Sequence, residues 1–304
     1  MAEQGMAEHL QQLFASARAG LRPLLPKRFR SDIPVVPVVP LSGIIGFSTP
    51  LKPGVTLAGV ARQLDRAFAM RHAVAVALVI NSPGGSPVQS HLIYRRIRAL
   101  SAEKKLPVIA FAEDVAASGG YMVACAADEI ICDTSSIVGS IGVVGGSFGF
   151  AKLMDKLGIE RRLYTSGEHK AMLDPFLPEK PEDVERLKEV QREIHEDFIQ
   201  LVKDSRGARL NGPEKDLFSG EYWTGRKAIE LGMADAIGDL RTILRARFGD
   251  KVWTPLVAPE RSFLGRPRPG IGMVGFDRLL RRVDLAEDIV SALESRMIWA
   301  RYGL

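Results

Sequence analysis

Residues 107–127 read PVIAFAEDVAASGGYMVACAA, and this stretch decides the fold. The apolar run 108–112 has the length of one buried strand, and we expect a turn at Glu113 and Asp114 to end it. The Ala-rich run 121–127 favours a helix. The stretch therefore predicts a strand and then a helix, with Ser118 where the helix begins.

Ser118 has two interpretations at that position. Serine is a common N-cap, which is the structural interpretation. The two glycines that follow, Gly119 and Gly120, weaken a first helical turn, and they make sense where something approaches the backbone closely. A serine hydroxyl beside free backbone N–H groups, at the positive end of a helix, meets the needs of a nucleophile whose reaction forms an oxyanion. Sequence alone leaves both interpretations open.

A second strand signal precedes this stretch. Residues 74–80, VAVALVI, are apolar without alternation, which is typical of a strand buried on both faces of a parallel sheet. The sequence NSPGG follows at 81–85, so that Gly84 and Gly85 would expose backbone N–H groups at the carboxyl edge of the sheet. Ligands usually bind at that edge in open α/β sheets, although a plain loop is the structural alternative.

The rest of the chain alternates between the same kinds of element, which predicts an α/β fold. Residues 134–149 are small and Gly-rich, so we expect a binding loop or tight packing there rather than a helix. The proline-rich residues 33–40 indicate an extended lead-in or an edge strand. We expect a first strand or a loop at 41–47 and strands at 129–132 and 161–165. Helices are expected at 55–70, 88–100, 148–157 and 181–205, with a further helix end at 228–231.

Composition limits the classes of function. The 304 residues are 46% hydrophobic and 25% charged, with a formal net charge of +5, and no run interleaves aromatic and basic residues. We therefore expect a protein with a sizeable core and no nucleic-acid partner. Cys125 and Cys132 are interpreted as small core residues in a reducing compartment, and the five histidines show no metal-ligand spacing. No apolar run is long enough for a membrane span or a signal peptide, so we expect a cytoplasmic or peripheral membrane location.

Three regions differ in character. Residues 1–32 are basic and contain an amphipathic segment at 9–30, for which contact with a membrane surface and packing against the protein are both open. Residues 33–257 carry the strand and helix signals of the main domain. Residues 258–304 combine a Pro-, Gly- and Arg-rich linker with a last amphipathic segment.

A serine nucleophile needs a base, and unrelated folds supply His, Lys or an amino terminus. The Gly-x-Ser-x-Gly motif is absent around Ser118, which argues against an α/β-hydrolase. Four motifs in order resemble instead the signal peptide peptidase A (SppA) and SohB-like family of serine peptidases, which share the ClpP/crotonase fold. These are NSPGG at 81–85, ASGGYMVACAADEI at 117–130, GSIGV at 139–143 and YTSGEHKAMLDPF at 164–176.

The resemblance implies a role for each matching residue. Ser118 is similar to the nucleophile and Lys170 to the general base, whose amine must be uncharged, a state that an apolar, water-poor site favours. Ser140 resembles the second serine that orients the lysine. Gly119 and one of Gly84 and Gly85 would donate the oxyanion N–H groups. His169 is a rival base, although in an extended chain it would point away from its neighbour Lys170.

The implied fold is a ClpP/crotonase-like spiral of ββα units with a buried parallel sheet and a helical C-terminal extension. The implied function is an endopeptidase that forms an acyl-enzyme on short or apolar peptides, such as signal-peptide remnants, in a ring-like homo-oligomer and without a cofactor. Two alternatives remain open, an acyl-CoA enzyme of the crotonase type and a non-catalytic peptide-binding relative. Relatives usually carry a membrane-spanning helix before the catalytic domain, and none is expected here.

Overall fold

A seven-stranded sheet, parallel except for one antiparallel pair, organises the protein. The computed structural model describes residues 33–46, 54–258 and 296–303. In these ranges the strands are β1 (Val38–Ser42), β2 (Val76–Ser82), β3 (Val108–Ala117), β4 (Glu129–Cys132), β5 (Ile137–Gly139), β6 (Tyr222–Thr224) and β7 (Ala236–Ile237), and the helices are α1 (Leu57–Phe68), α2 (Pro87–Lys104), α3 (Gly119–Ala124), α4 (Ala151–Leu157), α5 (Pro181–Arg206), α6 (Glu214–Leu217), α7 (Gly225–Glu230) and α8 (Leu240–Phe248).

The strands run in the order β1-β2-β3-β4-β7, and β5 pairs with the far end of β3 and, antiparallel, with β6. The central strands are buried on both faces, and each leads into a helix that packs on the sheet. This arrangement confirms the predicted α/β class with a buried parallel sheet.

The predicted turn at Glu113 and Asp114 is wrong, because β3 continues through both residues to Ala117. Its pairing with β4 ends at Ala112, and β5 pairs with it from Val115 onward. Glu113 and Asp114 are exposed where one partner strand gives way to the next. Two adjacent polar residues after an apolar run indicate a turn. The pairing of β3 with β5 explains why the backbone stays extended instead.

Helix α3 is short, and all six of its residues are buried. It packs against β2, β3 and α2, and Gly119 and Gly120 lie at its close contacts with the turn after β2 and with α2. The hydroxyl of Tyr121 donates a hydrogen bond to the Met233 carbonyl at 2.9 Å, which satisfies the one polar group that α3 buries. The helix that Ser118 opens is therefore held by core packing.

Two further predictions need correction. No strand forms at 161–165, because these residues are exposed and have no neighbouring strand with which to pair. The first strand begins at Val38, earlier than predicted, and Pro40 fits within it because β1 lies beside β2 at the edge of the sheet order. Strand β4 has the predicted bounds, whereas the short elements β5, β6, β7 and α8 have no clear sequence signal.

The terminal predictions fall largely outside the described residues. This applies to the basic segment 1–32 and to most of 258–304, of which only Ala258 and residues 296–303 are described. Among the described helices none combines the length and apolar character that a bilayer span requires.

Residues 144–180, which we call the arm, contain no buried residue, and neither do residues 181–197 of α5. Large apolar side chains are exposed on the arm, including Phe148 at 71% and Tyr164 at 89%. The arm is nevertheless ordered by its own contacts, which include the stacked rings of Phe150 and Phe176 and the ion pair of Arg161 with Asp174.

Arg206 at the end of α5 forms the most buried ion pair of the described residues. Its guanidinium donates to both carboxylate oxygens of Asp235 at 2.8 Å and to the Gly232 carbonyl. Burial alone would raise the pKa of Asp235, but hydrogen bonds from Arg206 and from the Ile130 N–H, together with the charges of Arg206 and Arg209, hold this pKa below its usual value.

We expect Asp235→Ala to lower the free energy of unfolding by about 3–5 kcal/mol, because it leaves the Arg206 charge buried without its partner. Chemical denaturation at neutral pH measures the loss. Since the folded-state pKa of Asp235 is depressed, the stabilisation is complete above about pH 4 and is lost as the pH falls through the folded-state pKa. Glu230→Gln, which breaks the exposed pair with Lys227, should leave the unfolding midpoint unchanged. An Asp235→Ala variant as stable as the wild type would contradict this account.

Candidate active site

Ser118 occupies a strained position between β3 and α3. Its φ is 51°, in the left-handed region that a non-glycine residue adopts at a cost of about 1–3 kcal/mol. The backbone is held there because the Ser118 N–H donates to the Gly139 carbonyl at 2.8 Å, while the Ser118 carbonyl accepts from the Met122 N–H. The side chain makes no capping hydrogen bond, so the N-cap interpretation does not explain this serine.

Gly119 and Gly120 permit a close approach by the protein's own backbone. A Cβ at Gly119 would collide with the Ser90 hydroxyl, and a Cβ at Gly120 would lie 2.5 Å from the Ser82 carbonyl oxygen. The turn after β2 thus packs directly on the start of α3. The Gly119 N–H is in the first turn of the helix, where backbone donors have no intrahelical partner.

The structure distinguishes the two glycines of the NSPGG turn. The N–H of Gly84 donates to Ser82 Oγ at 3.2 Å and is therefore in use. Gly85 forms a parallel bridge with Ile45, which donates to the Gly84 carbonyl and accepts from the Ser86 N–H. In such a bridge the N–H of Gly85 itself points away from Ile45. Gly85 is exposed and Gly84 is buried, which is consistent with a free Gly85 N–H.

Ser118, Ser140 and Gly85 line one cavity of about 580 Å³. Ser140 directly follows Gly139, the residue that accepts the Ser118 N–H, and its own N–H donates to the Glu221 carbonyl at 2.6 Å. Its φ of 55° is again left-handed. Two strained serines therefore flank the same cavity, and both are held by backbone hydrogen bonds to β5 and to the turn before β6.

The structure does not bring Lys170 into this cavity. Lys170 is exposed in a turn of the arm, where its N–H donates to the Gly167 carbonyl, and it is not among the residues that line the space around Ser118. His169, the rival base, is exposed in the same turn. Within one chain, the two predicted serines and the three predicted glycines lie close together, whereas Lys170 lies outside the cavity.

Three residues that the sequence did not single out also line the cavity or its rim. His195 on α5 lines it, with Nε2 3.0 Å from the Ile141 carbonyl oxygen, and Tyr302 lies in it with Tyr222 packed alongside. His195, Phe198 and Val202 share helical spacing, so the inner face of α5 was the available signal for the histidine. Nothing local could have placed Tyr302, because it lies 162 residues beyond Ser140 in the sequence.

The two cysteines lie in the core, as predicted. Burial raises the pKa of Cys125 to about 12 and that of Cys132 to about 11, so neither thiol is a reactive thiolate at neutral pH. Neither cysteine lines this cavity, so neither competes with Ser118 as the predicted nucleophile.

The sheet order and the serine-bearing junction at the carboxyl end of β3 define an α/β protein with a candidate site at the carboxyl edge of its parallel sheet. Residues 101–250 match Peptidase family S49. This match identifies residues 101–250 as a Peptidase S49 domain, and the chain is similar to SppA- and SohB-like proteins.

Relatives agree with this family over different parts of the chain. The chloroplastic serine protease SPPA of Arabidopsis thaliana is 33% identical over 73% of this chain and 34% of its own length. The probable protease SohB of Buchnera aphidicola subsp. Acyrthosiphon pisum is 34% identical over 47% of this chain and 41% of its own length.

A protein of Brucella abortus (strain 2308) named Na(+)/H(+) antiporter NhaA is 54% identical over 93% of this chain. The match covers 39% of that longer protein, and its name is not carried over to this chain. The chain thus spans less than half the length of these three relatives. The fold of a mutant of the 1510-N membrane-bound stomatin-specific protease is similar over 74% of this chain and 94% of that chain, at 16% identity and a TM-score of 0.44.

Proposed function

We propose that this protein is a serine endopeptidase with Ser118 as the nucleophile and Lys170 as the general base. One observation carries the proposal. A strained serine, free of any capping bond, shares a cavity with Ser140 and with Gly85, whose N–H points away from its bridge partner. Such an arrangement is suited to a reaction that forms an oxyanion next to a serine.

The oxyanion hole consists of the N–H groups of Gly119 and Gly85. Gly119 directly follows the nucleophile, and a Cβ placed on it would lie 3.4 Å from the Gly85 nitrogen, so the two glycines are neighbours in space. Gly84 is the weaker choice because Ser82 Oγ already accepts its N–H. The role of Gly84 is to let the turn pass close to Ser118, since its φ is +99° and a Cβ there would lie 2.8 Å from the Ser118 Cβ.

Lys170 reaches the cavity of a second copy. Within one chain it is exposed on the arm, whose apolar side chains have no core of their own on which to pack. Docking the arm on a neighbouring copy would bury this surface and bring the Lys170 amine out of water beside that copy's Ser118. The ring-like homo-oligomer that the family resemblance implies is the kind of assembly in which each site is completed by the next subunit.

The reaction proceeds in two balanced stages. Ser118 Oγ attacks the peptide carbonyl while the uncharged Lys170 amine takes the serine proton, and the two glycine N–H groups bind the oxyanion. The C–N bond breaks, and the lysine ammonium returns the proton to the leaving amine, which leaves an acyl-enzyme. Water then attacks the ester with Lys170 as the base again, and Ser118 recovers its proton. Ser140 accepts a hydrogen bond from the lysine and orients it.

Short or apolar peptides are the proposed substrates, and the peripheral or cytoplasmic location stays a prediction. The cavity offers apolar contacts from Pro83, Val143 and Val144 beside Ser118. We favour the peptidase over an acyl-CoA enzyme, because residues 101–250 match a peptidase family and because the sequence around Ser118 and Lys170 resembles the motifs of SppA-like peptidases. Binding of a CoA thioester without hydrolysis of any peptide would reverse this preference.

Labelling by a serine-reactive phosphonate tests the assignment. We expect one label per chain, located on Ser118 by mass spectrometry, abolished in Ser118→Ala and slowed at least 100-fold in Lys170→Ala, because the base is needed to generate the alkoxide. Hydrolysis of an apolar fluorogenic peptide should fall in parallel. Lys215→Ala, which removes an exposed lysine of α6, is the matched control and should label like the wild type. Equal labelling of Lys170→Ala would remove the lysine from the mechanism.

A further inference from the structure

The C-terminal residues 296–303 lie in the cavity of the candidate active site. Residues 296–300 form a helical turn, and Ile298, Arg301 and Tyr302 line the same space as Ser118 and Ser140. The cavity that would receive a peptide is thus partly filled by a segment of the protein's own chain.

Specific contacts hold this segment. The Tyr302 hydroxyl donates to Ser140 Oγ at 3.2 Å and lies 3.5 Å from the Pro83 carbonyl oxygen. The Tyr222 ring meets the Tyr302 ring edge-on at 5.1 Å between centroids, and the Tyr222 hydroxyl donates to the Arg301 carbonyl at 3.1 Å. Two aromatic side chains and two to three hydrogen bonds give the contact a defined geometry.

The segment is not presented as a substrate. A protease cleaves a peptide bond that it holds in an extended conformation, whereas residues 296–303 form a helical turn followed by a hydrogen-bonded turn. The Tyr302 N–H donates to the Trp299 carbonyl and the Gly303 N–H to the Ala300 carbonyl. These internal bonds compete with the extended form in which a carbonyl could enter the oxyanion hole.

The contact also involves the residue that the lysine needs. Ser140 is the proposed partner of the Lys170 amine, and in the structure its hydroxyl is bonded to Tyr302. The bond to Tyr302 occupies one of the two lone pairs of Ser140 Oγ, and the Tyr302 ring fills part of the cavity beside it. Occupation by the segment and a complete serine–lysine pair therefore oppose each other.

We propose that the groove formed by Pro83, Ser140 and Tyr222 is a binding site for residues 296–303 of this chain, and that the bound segment excludes both peptide substrate and Lys170 from Ser118. Inhibition of peptide hydrolysis by the segment rests on the proposed peptidase function, whereas binding of the segment to the groove does not depend on catalysis. Because the segment is tethered, its effective concentration at the groove is high even where its intrinsic affinity is low.

Binding is tested in a Ser118→Ala background, in which no peptide can be cleaved. A fluorescein-labelled peptide of residues 296–303 should bind the protein from which residues 296–304 are removed, and should bind the full-length protein at least about 5-fold more weakly, because the tethered segment competes. The peptide carrying Tyr302→Phe should bind the shortened protein more weakly, and a scrambled peptide should not bind. Equal binding to both proteins, or none to the shortened one, would overturn the proposal whether or not the protein is a peptidase.

Activity gives the second measurement, in proteins with Ser118 intact. Removal of residues 296–304 should raise the rate of peptide hydrolysis about 3- to 10-fold, and Tyr302→Phe should raise it by a smaller factor. Tyr94→Phe removes a tyrosine hydroxyl on α2 away from the cavity and is the matched control. Hydrolysis that depends on Ser118 and has the same rate with and without the segment would overturn this inference alone. Absence of hydrolysis in every variant would overturn the proposed function instead. Cleavage within the added peptide would show that the segment is a substrate, against the proposal.

Discussion

Co-expression of Ser118→Ala chains with Lys170→Ala chains should restore about a quarter of the wild-type peptidase rate, although each variant alone is inactive. In a closed ring the nucleophile of one subunit meets the lysine of the next. With equal amounts of the two chains, half of the nucleophile positions and half of the lysine positions are intact, and the two choices are independent. The expected result follows from the exposed position of Lys170 outside the cavity of its own chain.

Two controls make the experiment decisive. The mass of the mixed assembly, measured by light scattering, must equal that of the wild type. Chains that carry both substitutions must stay inactive when they are co-expressed with either single variant, because such a mixture has no intact serine or no intact lysine. A mixed assembly of correct mass with no activity would show that the serine and the lysine must come from one chain. The arm would then have to fold back onto its own cavity.

Gly85→Ala should lower kcat by about 10²–10³-fold, the loss that follows removal of one oxyanion donor. The reason is geometric. Gly85 has a φ of +141°, and a Cβ there would collide with the Ile45 carbonyl, so the turn must shift and take the Gly85 N–H with it. The KM for a peptide substrate should change much less, since the donor acts mainly on charge that develops in the transition state.

Gly249→Ala is the matched control, because Gly249 also has a left-handed φ, +89°, but has nothing within 4 Å of an added Cβ. This substitution introduces backbone strain without a steric collision, so we expect a small loss of stability and an unchanged kcat. Thermal unfolding of both variants separates a displaced donor from a damaged fold. A folded Gly85→Ala protein with wild-type kcat would exclude Gly85 as an oxyanion donor.

Local patterns predicted most of the fold. The unbroken apolar runs at 74–80 and 108–112 predicted buried parallel strands, because a strand covered on both faces has no polar side to display. The structure confirms both, with β2 and β3 at the centre of the sheet. Local patterns gave a wrong prediction where the deciding contact is remote in sequence. Glu113 and Asp114 stay extended because β3 pairs with β4 before them and with β5 after them.

The candidate site divides in the same way. Gly119 and Gly120 behind Ser118 already predicted a close backbone approach, since glycine in a first helical turn is otherwise unfavourable. Ser82 and Ser90, which make that approach, could not be read from the sequence, and neither could the bond that occupies the Gly84 N–H. The choice between Gly84 and Gly85 depends on which peptide groups face Ile45, and that is a property of chain pairing in space.

By itself, the sequence determined the α/β class, the strand-to-serine-to-helix junction and the resemblance to S49 peptidases, because each depends on short-range periodicity and on residues at fixed spacing. Only the tertiary structure decided that Ser118 is strained and uncapped, that Lys170 stays outside its own chain's cavity, and that residues 296–303 lie in that cavity. These depend on contacts between residues far apart in the chain. No local preference encodes such contacts, because they form only when the sheet has brought the distant segments together.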